Sequence, residues 1–201
     1  MPETPERRVI FGVLIAFLLW YFVFLSELFL SFWFRVTGAA VILALYAYAS
    51  SEDREIDSPT TQDIGKGLTS GTLLNALFYI GYKAFRPLVE GGAANVYTYR
   101  TELPLIIPSS LLLITSFCEE YFWRHYTQSY LVKTHGAAGI IITSVLYAGI
   151  HLPTLNLPLV FAAFIAGLAW GILYQYTGSL WVVVFSHMAW TELIFVLLPL
   201  K

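Results

Sequence analysis

Glu119, Glu120 and Arg124 stand within Phe117-Cys118-Glu119-Glu120-Tyr121-Phe122-Trp123-Arg124, inside a stretch otherwise apolar enough to sit in lipid. Ionised side chains near a bilayer centre cost roughly 2.5–3.5 kcal/mol each on insertion scales, so these three need pairing or a wet cavity. Glu120 and Arg124 are four positions apart and share a helix face, where a carboxylate can hold a guanidinium bidentately. Such a pair can also lock helix packing with no part in catalysis. Glu119 lies about 100° further round the helix and is left freer. A second carboxylate beside a satisfied one gains nothing structurally in lipid, which favours a functional role. Further along, Tyr147 and His151 are spaced i,i+4, and so are His187 and Thr191. Together these residues suit hydrolysis: Glu119 draws a proton from water while His151 orients the water or shuttles the proton. His187 and Thr191 are then the donors available to a developing oxyanion, and loss of one such donor typically costs about 100–1,000-fold in rate.

The elements that must position these groups are hydrophobic spans. The chain of 201 residues is 58% hydrophobic, 17% aromatic and only 12% charged, far from the roughly 25% charged content of soluble domains. Apolar runs near the length needed to cross hydrocarbon fall at about 9–26, 31–50, 64–86, 104–132, 137–152, 155–176 and 179–199. These predict an all-α fold, a polytopic transmembrane helical bundle of about six to eight spans forming one integral-membrane domain over 1–201. The first boundary is set only by Ser26-Glu27 followed by Arg35, which suggests a tight reversal. Arg7 and Arg8 precede an apolar run as in a signal peptide, but no small-residue cleavage pattern follows, so a retained first helix is expected. Residues 51–63, acidic and broken by Pro59, read as a solvated loop, and 87–103, with Gly91-Gly92, as another. Trp20, Tyr21, Trp33, Tyr97 and Tyr99 sit near span ends and fit interfacial aromatic belts. Gly167 and Gly171 form a small-x-x-x-small pair for close helix approach. Five basic residues on each side leave the orientation undecided.

A net charge of −2 with no long basic block argues against nucleic acid as a partner. The single cysteine, Cys118, cannot form an internal disulfide.

The residues from 105 to 195 resemble the CPBP family of intramembrane endopeptidases, which includes the type II CAAX prenyl proteases and many prokaryotic relatives. Glu119, Glu120 and Arg124 match its E-E-x-x-x-R signature. Tyr147 and His151 match an aromatic-x-x-x-H signature usually begun by Phe, and the segment Gly167 to Trp181 is similar to the family's glycine-bearing helix and Thr-Gly-Ser-Leu-Trp turn. The third signature, H-x-x-x-N, retains His187 but has Thr191 in place of asparagine. The resemblance implies a glutamic-type protease, integral and multi-pass in a prokaryotic plasma membrane. Its substrate would be a membrane-anchored or membrane-embedded protein or peptide. Glu119 and His151 would activate the water, Glu120 with Arg124 would brace the site, and His187 would stabilise the oxyanion. Thr191 implies an oxyanion hole that is rebuilt or less effective, because its hydroxyl is shorter than an amide.

Other chemistries use the same residues. A carboxylate and two histidines have the ligand types of a three-ligand zinc site, although the short H-E-x-x-H spacing is absent and the resemblance favours a mechanism with no cofactor. Cys118 could act as nucleophile with His151 or His187 as base, but a lone membrane cysteine is usually a small inert hydrophobe. Intramembrane acids and histidines also line proton or ion pathways in small transporters. A non-catalytic membrane partner on the protease fold is a further alternative. Transport predicts polar groups spread along a route, whereas here they converge on residues 119–192.

Overall fold

The computed structural model describes residues 4–25, 30–51 and 53–200. Among them every regular element is helical: α1 Pro5–Leu25, α2 Phe32–Ser50, α3 Thr61–Ala84, α4 Arg86–Tyr97, α5 Ile106–Glu120, α6 Ser129–His135, α7 Ala138–Gly149, α8 Leu157–Thr177 and α9 Leu180–Thr191. α5 runs into α6 through a π-helical segment, Tyr121–Gln128, and α9 continues as another, Glu192–Leu197. The expected reversal at Ser26-Glu27 lies outside the described residues.

Fewer spans cross the membrane than the apolar runs suggest. Among the described residues four helices are long and apolar enough, Pro5–Leu25, Phe32–Ser50, Leu157–Thr177 and Leu180–Leu197, or up to five if a bent pair counts as one span. That pair joins Arg86–Thr101 to Ile106–His135 at 113°. The run at 64–86 is a helix of 24 residues, but Lys66, Ser70, Thr72 and Asn75 make it too polar to count. The run at 137–152 folds as a helix of 12 residues followed by a short 3-10 turn, Leu152–Thr154. At 1.5 Å per residue such a helix is shorter than the hydrocarbon core. Outward-facing Ile10, Phe11, Leu14, Leu18, Ile42 and Leu45 leave broad apolar faces exposed, as lipid contact requires. The chain is an integral, multi-pass membrane protein.

Residues 87–103 are not a loop. Pro87 occupies the first turn of α4, where its missing N–H costs nothing, and Arg86 pairs with Glu90 one turn on at 2.9 Å. Gly92 lets α4 touch the start of α8, because a Cβ there would come within 2.5 Å of Asn156 Oδ1. The Asn156 amide donates to the Gly92 carbonyl at 2.8 Å while its Oδ1 caps α8 by accepting from Leu159 N.

Capping residues fix the ends of the helices around the site. Thr60 and Asp63 form a capping box at the start of α3. Asp63 also accepts a 2.8 Å hydrogen bond from Ser179, the residue whose hydroxyl caps α9. Gly178 stops α8 in the left-handed region at φ +66°, which glycine adopts without a Cβ clash. The 53–60 segment crosses beside this corner, where Trp181 donates from its indole N–H to the Asp57 carbonyl.

α3 packs along α9 at unusually close range. A Cβ on Gly67 would lie 2.5 Å from Phe185 Cβ, and one on Gly71 would lie 2.4 Å from the Ser186 carbonyl oxygen. Trp20 and Trp33, expected in an interfacial belt, are instead core residues at 1% and 2% exposure. The Trp33 indole donates to the Tyr99 carbonyl at 2.8 Å, and Tyr97 donates from its phenol to the Ile194 carbonyl. An indole or phenol near a span end can serve helix contact as readily as lipid, and spacing does not separate the two.

Candidate active site

Glu119 and Glu120 are the last residues of α5, and Arg124 follows in the π-helical segment. π-helical turns inside α-helices are frequent at functional sites because they redirect side chains. Glu120 and Arg124 have no exposed surface, and Arg124 Nε approaches Glu120 Oε2 at 3.1 Å. The contact is a charge contact without hydrogen-bond alignment, and it is not the bidentate fork that the i,i+4 spacing suggests. The other carboxylate oxygen is taken, since Glu120 Oε1 lies 2.8 Å from His187 Nδ1. Arg124 instead sets its guanidinium 5.3 Å from the centre of the Tyr147 ring, a cation–π contact that helps hold an otherwise costly buried charge.

His187 is held on two sides. Glu120 meets its Nδ1, and Trp170 stacks on its ring with centroids 3.9 Å apart. Trp170 is anchored in turn by donating from its indole N–H to Ser186 Oγ at 3.3 Å. Thr191 lies one turn beyond His187, and its hydroxyl donates back to the His187 carbonyl at 2.9 Å and the Met188 carbonyl at 3.1 Å.

Glu119 accepts a hydrogen bond from the Tyr147 phenol to its Oε2 at 2.8 Å. His151, at the end of α7, has its Nδ1 3.0 Å from the Tyr147 carbonyl oxygen. A carbonyl only accepts, so Nδ1 carries the proton and the neutral ring keeps its Nε2 lone pair available. One residue, Tyr147, therefore links the carboxylate on α5 to the imidazole after α7. Spacing pairs Tyr147 with His151 but gives it no role of its own. The signal for more was its hydroxyl, which on a membrane-buried helix is too far from its own backbone to bond there.

Gly167 gives Tyr147 its place, because a Cβ there would come 3.0 Å from Tyr147 Cδ1. Gly67 and Gly71, which no motif singled out, set the approach of α3 to the helix that carries His187. Their signal was the same small-x-x-x-small spacing that Gly167 and Gly171 show.

Two cavities flank the cluster. One of about 240 Å³ is lined by Ser70, Leu74, Trp170 and Ser186 among others. The other, of about 600 Å³, is an almost wholly apolar hollow lined by Phe78, Tyr82, Phe161, Trp190 and Ile194 among others. Neither is lined by Glu119 or His151; Trp190, in the wall of the larger, has its ring 5.5 Å from that of Trp170. Glu119 is 6% exposed. Cys118 is a free thiol buried in the apolar core. Among the described residues no group of three or more His, Cys, Asp or Glu is placed to hold a metal ion.

Residues 101–192 match the family described as type II CAAX prenyl endopeptidase Rce1-like. The match supports intramembrane protease-like activity in general. No curated protein and no solved structure gives a significant match to the chain.

Proposed function

We propose that the protein hydrolyses a peptide bond in a membrane-anchored or membrane-embedded protein or peptide, using a water activated by Glu119 and His151. The observation that carries this reading is the coupling of the two groups through Tyr147, beside the Glu120–His187 contact, inside the segment that matches the protease family.

The chemistry follows from which atoms are engaged. Glu119 Oε1 takes a proton from a water that is oriented by a hydrogen bond to the free Nε2 of His151. The water oxygen bonds to the scissile carbonyl carbon, and the carbonyl π pair moves onto its oxygen. In its protonated form His187 donates from Nδ1 to Glu120 and from Nε2 to this oxyanion, and with Arg124 it balances the two carboxylates of the cluster. As the C–N bond breaks, the nitrogen keeps the bonding pair and receives the proton held by Glu119. Thr191 supports the carbonyl end of the His187 turn and leaves the oxyanion to the imidazole. The apolar hollow beyond Trp190 suits the approach of a hydrophobic segment from lipid.

The test co-expresses wild type, Glu119→Gln and His151→Ala with membrane-anchored candidate substrates, with and without chelator. Cleavage by wild type that both substitutions abolish is the expected result. Cleavage that survives both would overturn the mechanism, loss on chelation alone would favour zinc, and an inert wild type across the panel would favour a non-catalytic partner.

A further inference from the structure

We infer that Tyr147 is a positioning residue for the reaction, its phenol fixing Glu119 and its backbone carbonyl fixing His151. This rests on the proposed reading of those two groups as the water-activating pair.

The hydroxyls of α7 divide into two kinds. Thr143 and Ser144 donate to carbonyls of their own helix, Gly139 and Ile140, each at 2.8 Å. A phenol reaches past its own backbone, and at this depth its proton must find a partner on another element. It finds Glu119 Oε2. That bond occupies one carboxylate oxygen with a donor and leaves Oε1 as the oxygen free to take a proton. The same residue's carbonyl settles the tautomer of His151, so the Nε2 lone pair is the one presented.

The ring has little freedom to move. Its OH is on α5, Trp123 meets it edge-on at 5.5 Å, the Arg124 guanidinium lies 5.3 Å from its centre, and Gly167 of α8 lies against Cδ1. A phenylalanine would fill the same space but leave Glu119 Oε2 without this donor and free to rotate. The relative placement of base and imidazole is then set by side-chain torsions alone.

The experiment measures kcat and KM for cleavage of a membrane-anchored peptide reporter. It uses the full chain in lipid vesicles, for wild type, Tyr147→Phe, Glu119→Gln and the double variant. Tyr147→Phe is expected to lower kcat by about 10–100-fold with KM within about twofold, because misplacing a reacting group by about 1 Å has that order of effect. The double variant is expected to be no slower than Glu119→Gln alone, since a residue that acts through Glu119 has nothing left to position. Gly167→Ala keeps the phenol but crowds its ring, and a fall in kcat of the same kind is expected, which holds the inference open to test even if Tyr147→Phe fails to fold. Wild-type kcat in Tyr147→Phe or in Gly167→Ala, a change confined to KM, or full additivity in the double variant would overturn it. Full activity in Glu119→Gln would instead overturn the functional reading on which it rests.

Discussion

Gly71→Ala tests how tightly the site depends on a helix that contributes no polar group to it. The added Cβ would meet the Ser186 carbonyl oxygen at 2.4 Å and Ala189 Cβ at 2.8 Å. The closest obstacle is backbone, so no side-chain rotation relieves it. Restoring an ordinary contact of about 3.4 Å needs α3 and α9 to separate by about 1 Å. Ser186 immediately precedes His187, whose Nδ1 sits 2.8 Å from Glu120, and a displacement of that size takes the pair outside good hydrogen-bond distance. The expected cost is about 1–3 kcal/mol of stability for overpacking and about 100-fold in kcat for misplacement of a catalytic group. Gly65→Ala on the same helix is the control, since nothing lies within 4 Å of its Cβ, and replacing a glycine inside a helix there gains roughly 0.5–1 kcal/mol. Thermal unfolding in detergent and reporter cleavage in vesicles read both quantities. A Gly71→Ala protein matching Gly65→Ala in both would refute the argument that the glycine contact sets the position of His187.

Arg124→Met leaves Glu120 buried with only His187 for company. Destabilisation by about 3–5 kcal/mol is expected in chemical unfolding, and a loss under about 1 kcal/mol would show that the pair is not the main compensation for the buried carboxylate. Asp63→Asn leaves one acceptor oxygen where the carboxylate offers separate oxygens to Thr60 and Ser179, and should cost about 0.5–2 kcal/mol by the usual worth of a helix cap. The hydrogen bonds from Thr60, then from Ser179, hold the Asp63 carboxyl below the ordinary aspartate range. The stabilisation it gives is therefore present above about pH 4 and is lost as pH falls through the lowered value. Wild type should lose melting temperature on acidification in that window by an increment that Asp63→Asn lacks, and parallel curves would contradict this.

The polar residues of the candidate site were more legible in the sequence than the number of spans. Glu119, Glu120, Arg124, His151 and His187 stand out because charge and imidazole in an apolar chain are costly and must be explained. In the structure Tyr147 bonds Glu119 through its phenol and His151 through its carbonyl, and Glu120 meets His187 directly. The link through Tyr147 was hidden because an aromatic ring reads as packing until its hydroxyl's partner is known. Thr191 was legible as a departure from asparagine, but that its proton returns to the carbonyls of its own helix depends on a rotamer. Span number was misjudged where hydropathy and length part company. α3 has the length but too many polar side chains, and α7 is apolar but short. Residues 87–103 read as a loop in the sequence because Gly91 and Gly92 are poor helix formers. Contact with Asn156 at the start of α8 overrides that preference.

The central claim is that a buried glutamate moves the proton that lets water cut a peptide bond. It is tested most directly by turnover of a membrane-anchored peptide by the purified protein in lipid vesicles, wild type against Glu119→Gln, with product termini identified by mass spectrometry. The account predicts one defined internal cleavage in wild type and a fall of at least about 100–10,000-fold in Glu119→Gln, the usual worth of a general base. Equal turnover by the two proteins would contradict it.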